Sequence, residues 1–160
     1  MNKIDKLDKE LEKAREKAAE WQAKIRELEK QKQEEENSQI VQAKKNIEES
    51  GLSDQITLIE GDALDVDVDG MFDCIFIDAA KAQYRRFFEK YCIHLNENGI
   101  IVSDNMNFHG LVEHPELSRN RNTRQLVRKI HDYHTYLAEL SDYETAFYDY
   151  GDGVAITRRK

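Results

Sequence analysis

The sequence predicts an α/β fold, a partial sheet with a C-terminal antiparallel hairpin, preceded by a long N-terminal coiled-coil-type helix. Three observations carry this. From Met1 to about Glu36 there is no glycine or proline, and apolar residues recur in alternating steps of three and four. Two short apolar runs, Cys74 to Ile77 and Ile100 to Val102, end abruptly in acid, at Asp78 and, through Ser103, at Asp104 and Asn105. Runs this short and this rich in β-branched and aromatic residues read as strands buried on both faces. Finally, Glu144 to Tyr150 and Val154 to Thr157 alternate around Gly151-Asp152-Gly153, a hairpin signal.

The 160 residues suffice for one domain and an appendage. With 32 acidic against 24 basic residues, the chain has no bulk attraction for nucleic acid or anionic membrane, so any such contact needs a local patch. Cys74 and Cys92, in a core strand and an amphipathic helix, read as packing residues in a reducing compartment. Met1 is followed by charged residues and no apolar run approaches membrane-spanning length, which predicts a cytoplasmic protein.

In chain order, the first segment (1–40) carries Ile4, Leu7, Leu11, Ala14, Ala18, Trp21, Ile25 and Leu28 as a heptad seam. Asp5 with Lys9 and Glu20 with Lys24 support the helix, while Glu12 with Glu16 opposes it. A stripe this narrow suits a coiled-coil partner, and self-association is expected; the plainer reading is a solvated helix packed on its own domain.

Composition shifts at Asn37-Ser38, and residues 41–160 read as the second part. Ile40 to Ser50 is still helical, with Gly51 as its stop. Ile56 to Glu60 reads as a strand. Asp65, Asp67 and Asp69, closed by Gly70, mimic the start of a calcium loop, but the twelfth position is Phe76 rather than Glu, so they read as a turn. Gln83 to Leu95 is an amphipathic helix, Asn96 to Gly99 a turn, and Ile100 to Ser103 a strand. A polar loop from Asn107 to Arg121, holding the only proline, precedes a helix from Thr123 to Leu140.

In open α/β sheets ligands sit where parallel strands end. Asp78, Asp104 and Asn105 would bring three oxygens together there, with Lys81 in reach, a set suited to a hard divalent cation. Each residue also has an ordinary reading: an Asp ending a strand is often a helix cap, and a lysine is usually solvated. Arg119, Arg121, Arg124, Arg128 and Lys129, followed by His131 and His134, form a basic cluster that would hold RNA phosphates or simply face water. His109, His114, His131 and His134 lack a zinc spacing supported by cysteines.

From about Ala43 to Lys160 the chain resembles class I S-adenosylmethionine-dependent O-methyltransferases, in the metal-dependent branch of the catechol and caffeoyl-CoA enzymes. The matching pieces are GDAL (Gly61 to Leu64), FDCIFIDAAKAQY (Phe72 to Tyr84), NGIIVSDN (Asn98 to Asn105) and the terminal GDGVAITRRK. Within that branch the nearest resemblance is to methyltransferases of 5-hydroxyuridine in bacterial tRNA. The resemblance implies a Rossmann-like sheet and S-adenosylmethionine as cofactor, contacted at Asp62, Ala63 and Asp78. It implies Mg2+ or another divalent cation at Asp78, Asp104 and Asn105, Lys81 handling the substrate proton, and tRNA as partner. Residues 1–40 resemble small coiled-coil proteins of unknown function from bacterial conjugative elements.

The chain departs from the family at its start. None of its seven glycines makes a glycine-rich strand-to-helix turn, and the heptad helix stands where the family has its N-terminal third. The sequence therefore reads as a fusion, and its alternative function is an inactive methyltransferase remnant joined to an interaction helix. Without the family's first two strands, Phe72 to Ile77 becomes an open sheet edge, to be covered by Ile56 to Glu60 or by a second chain.

Overall fold

A computed structural model describes residues 3–118 and 120–160. The chain forms two compact units that divide between Glu60 and Gly61. The first is dominated by one helix, α1 (Lys3–Ser50), which runs through Asn37-Ser38 without a break. Nothing interrupts it before Gly51, where φ of 70° ends the helix and the Ser50 hydroxyl donates to the Ile47 carbonyl at 2.7 Å. Charged and amide pairs at i,i+4 line its surface, among them Lys30–Glu34 at 3.6 Å and Lys32–Glu36 at 3.4 Å. Leu7, Leu11, Trp21, Ile25 and Leu28 keep 50% to 56% of their surface exposed.

Past the helix, Lys44 pairs with Glu60 at 2.5 Å. The strand expected at Ile56 to Glu60 does not form: these residues have no regular structure and Ile56, Leu58 and Ile59 are exposed. A five-residue apolar run becomes a strand only where a neighbouring strand takes its backbone N–H and C=O groups. Among the described residues it joins no ladder.

The second unit is a four-stranded sheet of β1 (Phe72–Ile77), β2 (Leu95–Ser103), β3 (Tyr143–Tyr148) and β4 (Val154–Arg159), in the order β1-β2-β4-β3. β1 and β2 run parallel, with Ile77 opposite Ser103. β4 is antiparallel to both β2 and β3. Helices α2 (Tyr84–Tyr91) and α3 (Arg121–Glu139) lie on one face of the sheet. There Tyr84, Phe87 and Phe88 from α2 and Tyr133 and Leu137 from α3 pack on Ile77, Ile101 and Ala155. Edge-to-face rings join the two helices, with Tyr84 and Tyr133 centroids 5.7 Å apart. The buried hydroxyls are paired: Ser103 with Tyr133 at 3.0 Å, and Thr157 with Thr145 at 2.9 Å.

Three expectations are corrected here. The β1 run is not buried on both faces. Ile77 is 4% exposed, whereas Phe76 is 61% exposed and Cys74 is exposed, so Cys74 is no packing residue. Both helices lie on the side of Ile77 and Ile101, and alternation turns Cys74 and Phe76 the other way. The helix expected over Gln83 to Leu95 ends at Tyr91, and Leu95 is the first, fully buried residue of β2. The expected turn at Asn96 to Gly99 lies inside β2, as a register break opposite Phe72 and Cys74. Gly99 is required there, because a Cβ would come within 2.9 Å of the Phe72 carbonyl oxygen.

Among the described residues, no helix is long and apolar enough to cross a membrane.

Candidate active site

The Ile77–Ser103 register carries β1 and β2 to the same level at their carboxyl ends, so Asp78 and Asp104 leave the sheet side by side. The Asp104 amide donates back to the Ile77 carbonyl at 3.1 Å, locking the two exits together. Asn105 then turns into the left-handed region at φ 53°, a conformation Asn tolerates, and its amide donates to Asp104 Oδ1 at 2.6 Å. Lys81, in a short 3-10 turn between β1 and α2, donates from Nζ to Asn105 Oδ1. The structure therefore brings Asp78, Lys81, Asp104 and Asn105 to one place.

Tyr84 belongs to the same cluster, a role sequence reasoning missed although the residue closes the quoted motif. Its hydroxyl donates to the Asp104 carbonyl at 3.0 Å. Burial, and then the carboxylates of Asp78 and Asp104, push its phenol up to about 12. Both carboxylates thus act on one buried hydroxyl.

The donor set is two carboxylates and an amide oxygen, which fits a hard divalent cation. Asn105 Oδ1 accepts from Lys81 Nζ, so this amide oxygen faces the same space as the lysine. Among the described residues no group of three or more His, Cys, Asp and Glu is placed to hold a metal, so any cation here depends on Asn105.

The loop after β2 continues past Asn105 and is laced to the β3–β4 hairpin. Met106 donates to the Gly153 carbonyl at 2.9 Å, Asn107 to that of Asp152 at 2.7 Å, and the His109 amide to the Asp152 carboxylate. Beside this seam opens a cavity of about 680 Å³ whose lining includes Asn107, Glu113, His131, His134, Phe147 and Asp149. His134 stacks on Phe147 at 4.7 Å and lies 2.8 Å from the Met106 carbonyl through Nε2; burial holds its pKa below the ordinary value. Asn107 Oδ1 is buried without a hydrogen-bonding partner among the described residues. Sequence reasoning missed Asn107, Phe147 and Asp152, whose only signal was the hairpin glycines.

Other predicted residues lie elsewhere in the unit. Asp62 caps its own turn, accepting from the Leu64 amide at 2.8 Å, and the Ala63 carbonyl accepts the Tyr91 hydroxyl of α2. Arg121, Arg124 and Arg128 are exposed at three- and four-residue spacing on α3, and Arg124 Nη1 donates to the Ser118 carbonyl at 3.2 Å. Arg119 lies outside the described residues.

Comparison with known proteins separates the two units. Residues 3–58 match a domain of unknown function, DUF4315. A protein assigned as a caffeoyl-CoA O-methyltransferase from Staphylococcus aureus superposes with a TM-score of 0.72 and 39% identity, over 77% of this chain and 60% of that one. The sheet-bearing part of the chain is thus similar in sequence and fold to part of an O-methyltransferase. A Podospora anserina methyltransferase with S-adenosylhomocysteine bound superposes with a TM-score of 0.69 and 27% identity, over 76% of this chain and 56% of that one. A catechol O-methyltransferase from Niastella koreensis is 38% identical over 71 residues, which is 40% of this chain and 32% of the relative. The chain thus spans from a third to three fifths of the length of these relatives. The domain match runs past residue 40, through the helix end at Ser50 and into the segment that follows.

Proposed function

We propose that the chain supplies the acceptor-side half of an S-adenosylmethionine-dependent O-methyltransferase, acting on the hydroxyl of 5-hydroxyuridine in tRNA. The observation that carries this is the paired exit of Asp78 and Asp104 from adjacent parallel strands, with Lys81 on Asn105 beside them. Asp78, Asp104 and Asn105 would hold Mg2+ or a similar cation, which when bound lowers the pKa of an acceptor hydroxyl. Lys81, as the free amine, would take that hydroxyl's proton, so that the O–CH3 bond forms as the sulfonium S–CH3 bond breaks, releasing S-adenosylhomocysteine. Tyr84 positions Asp104 through its backbone. Asn107, His134 and Phe147 offer a flat, partly polar wall for the acceptor ring, and Arg121, Arg124 and Arg128 a basic stripe for phosphates. The cofactor would lie toward Asp62, Ala63 and Asp78. Solved relatives with S-adenosylhomocysteine bound support the choice of cofactor.

One observation favours a second reading, a remnant without catalysis whose working part is α1. Among the described residues no glycine-rich turn joins a strand to a helix, and β1, central to the reading above, is the edge of the sheet. Calorimetric titration with S-adenosylmethionine, with and without Mg2+, decides between them. The enzyme reading expects binding, methyl transfer to tRNA bearing 5-hydroxyuridine, and a loss of about 10² or more in rate for Lys81→Met. No cofactor binding at millimolar concentration would leave the remnant.

A further inference from the structure

We propose that α1 pairs with a second copy of this chain as a parallel, in-register two-stranded coiled coil along Leu7 to Leu28. The seam is Leu7, Leu11, Ala14, Ala18, Trp21, Ile25 and Leu28, alternating in steps of four and three. In the single chain its large members remain half exposed, between 50% and 56%. A helix of this length takes most of its stability from burying such a stripe on a partner. The seam stops at Leu28, because its next two positions are Lys32 and Glu35.

The flanking charges choose the occupant and its direction. In a parallel pair, the residue before one seam position faces the residue five places later on the partner helix. Glu10 then meets Arg15 and Lys24 meets Glu29, while Lys17 meets the neutral Gln22. By symmetry each contact occurs twice, and none of these opposes like charges. Run antiparallel with Leu7 opposite Ile25 and Leu11 opposite Trp21, the helices would set Arg15 against Arg15 and Lys17 against Lys17, two like-charge contacts at the centre of the seam. Ala14 and Ala18 form thin layers directly before Trp21, which gives the indole room between two helices. Lys24 already lies 5.7 Å over the Trp21 ring, on the flank where a partner's Glu29 would meet it. Charges that complement themselves in one orientation mark a surface that recognises its own copy.

Sedimentation velocity of the full chain, over about 1 to 100 µM, tests this, because self-association follows concentration. The expected result is a two-copy species that grows with concentration. The emission of Trp21, the only tryptophan, should move to the blue in step. Reversing charges gives the sharper test. Variant one carries Glu10→Lys and Glu29→Lys; variant two carries Arg15→Glu and Lys24→Glu. Each alone should dissociate about a hundredfold more readily, since four contacts turn from attraction to repulsion. Mixing the two variants should restore the pair. A single-copy species throughout would overturn the proposal. So would a two-copy species that the charge variants leave unchanged, or a mixture that stays dissociated. Helix content by circular dichroism separates loss of pairing from loss of folding.

Discussion

The two units use apolar residues in opposite ways. Along α1 the large apolar side chains stay about half exposed, while in the sheet unit Leu95, Ile101 and Ile130 are fully buried. Between its ends the helix closes its backbone hydrogen bonds within itself and so forms without a core, with its apolar stripe exposed. The sheet unit's strands bond to distant neighbours, so strand, helix and loop must assemble together. Local pattern suffices for α1 and not for the sheet unit. Each unit also carries its own reporter: the single tryptophan is in α1, and all seven tyrosines follow Gly61.

The largest expected effect is in the core. Ile101→Ala should lower the unfolding free energy of the sheet unit by about 2–5 kcal/mol, read by tyrosine fluorescence in urea. Leu11→Ala should leave that transition unmoved; an equal shift would erase the contrast between the units.

Next come the glycines. Gly153 has φ of 83°, and a Cβ there would meet the Asn107 amide nitrogen at 2.8 Å, whereas a Cβ on Gly51, at φ of 70°, would meet nothing within 4 Å. Gly153→Ala should cost about 1–3 kcal/mol and loosen the loop beside Asp104, while Gly51→Ala costs about 1 kcal/mol or less. Thermal melts followed at the two reporters would show whether the costs fall on different units.

Smaller still is Tyr133→Phe, which removes the buried hydroxyl bonded to Ser103 and should cost about 1 kcal/mol in the same urea transition.

Alkali should distinguish the units most gently. The folded state holds the Tyr84 phenol up at about 12 against an ordinary 10.0, so the folded state keeps its proton after the unfolded chain has lost it. That contribution is complete below about pH 10 and is lost as pH rises toward 12. Hydrogen exchange or tyrosine absorbance across this range should show the sheet unit weakening, with the slope reduced in Tyr84→Phe. The α1 segment has no tyrosine, so the tyrosine signal reports the sheet unit alone.

Much of this was legible from residues. The α1 seam, Asp78 and Asp104 at strand ends, and the Gly151-Asp152-Gly153 hairpin all showed as local patterns, and each lies in the expected kind of element. The failures share one cause. Ile56 to Glu60 has a strand's composition, Cys74 and Phe76 have a core strand's composition, and Asn96 to Gly99 has a turn's. Each outcome depended on neighbours: among the described residues no strand pairs with the first, α2 and α3 pack on the opposite face of the sheet from the second, and the third lies within the strand that pairs with β1. Tyr84 and Asn107 were missed because their partners, Asp104 and Asp152, lie 20 and 45 residues away.

By itself the sequence determined periodicity, charge order and which residues carry oxygen or ammonium groups, since these are properties of the chain within a few residues. It was enough to name Asp78, Lys81, Asp104 and Asn105, and to order the charges along α1. Only the tertiary structure decided that Ile77 stands opposite Ser103, which sets the two aspartates side by side, and that both helices take one face of the sheet. Register and layer choice depend on contacts far apart in the chain, where the balance of burial and backbone pairing, rather than local preference, selects the outcome.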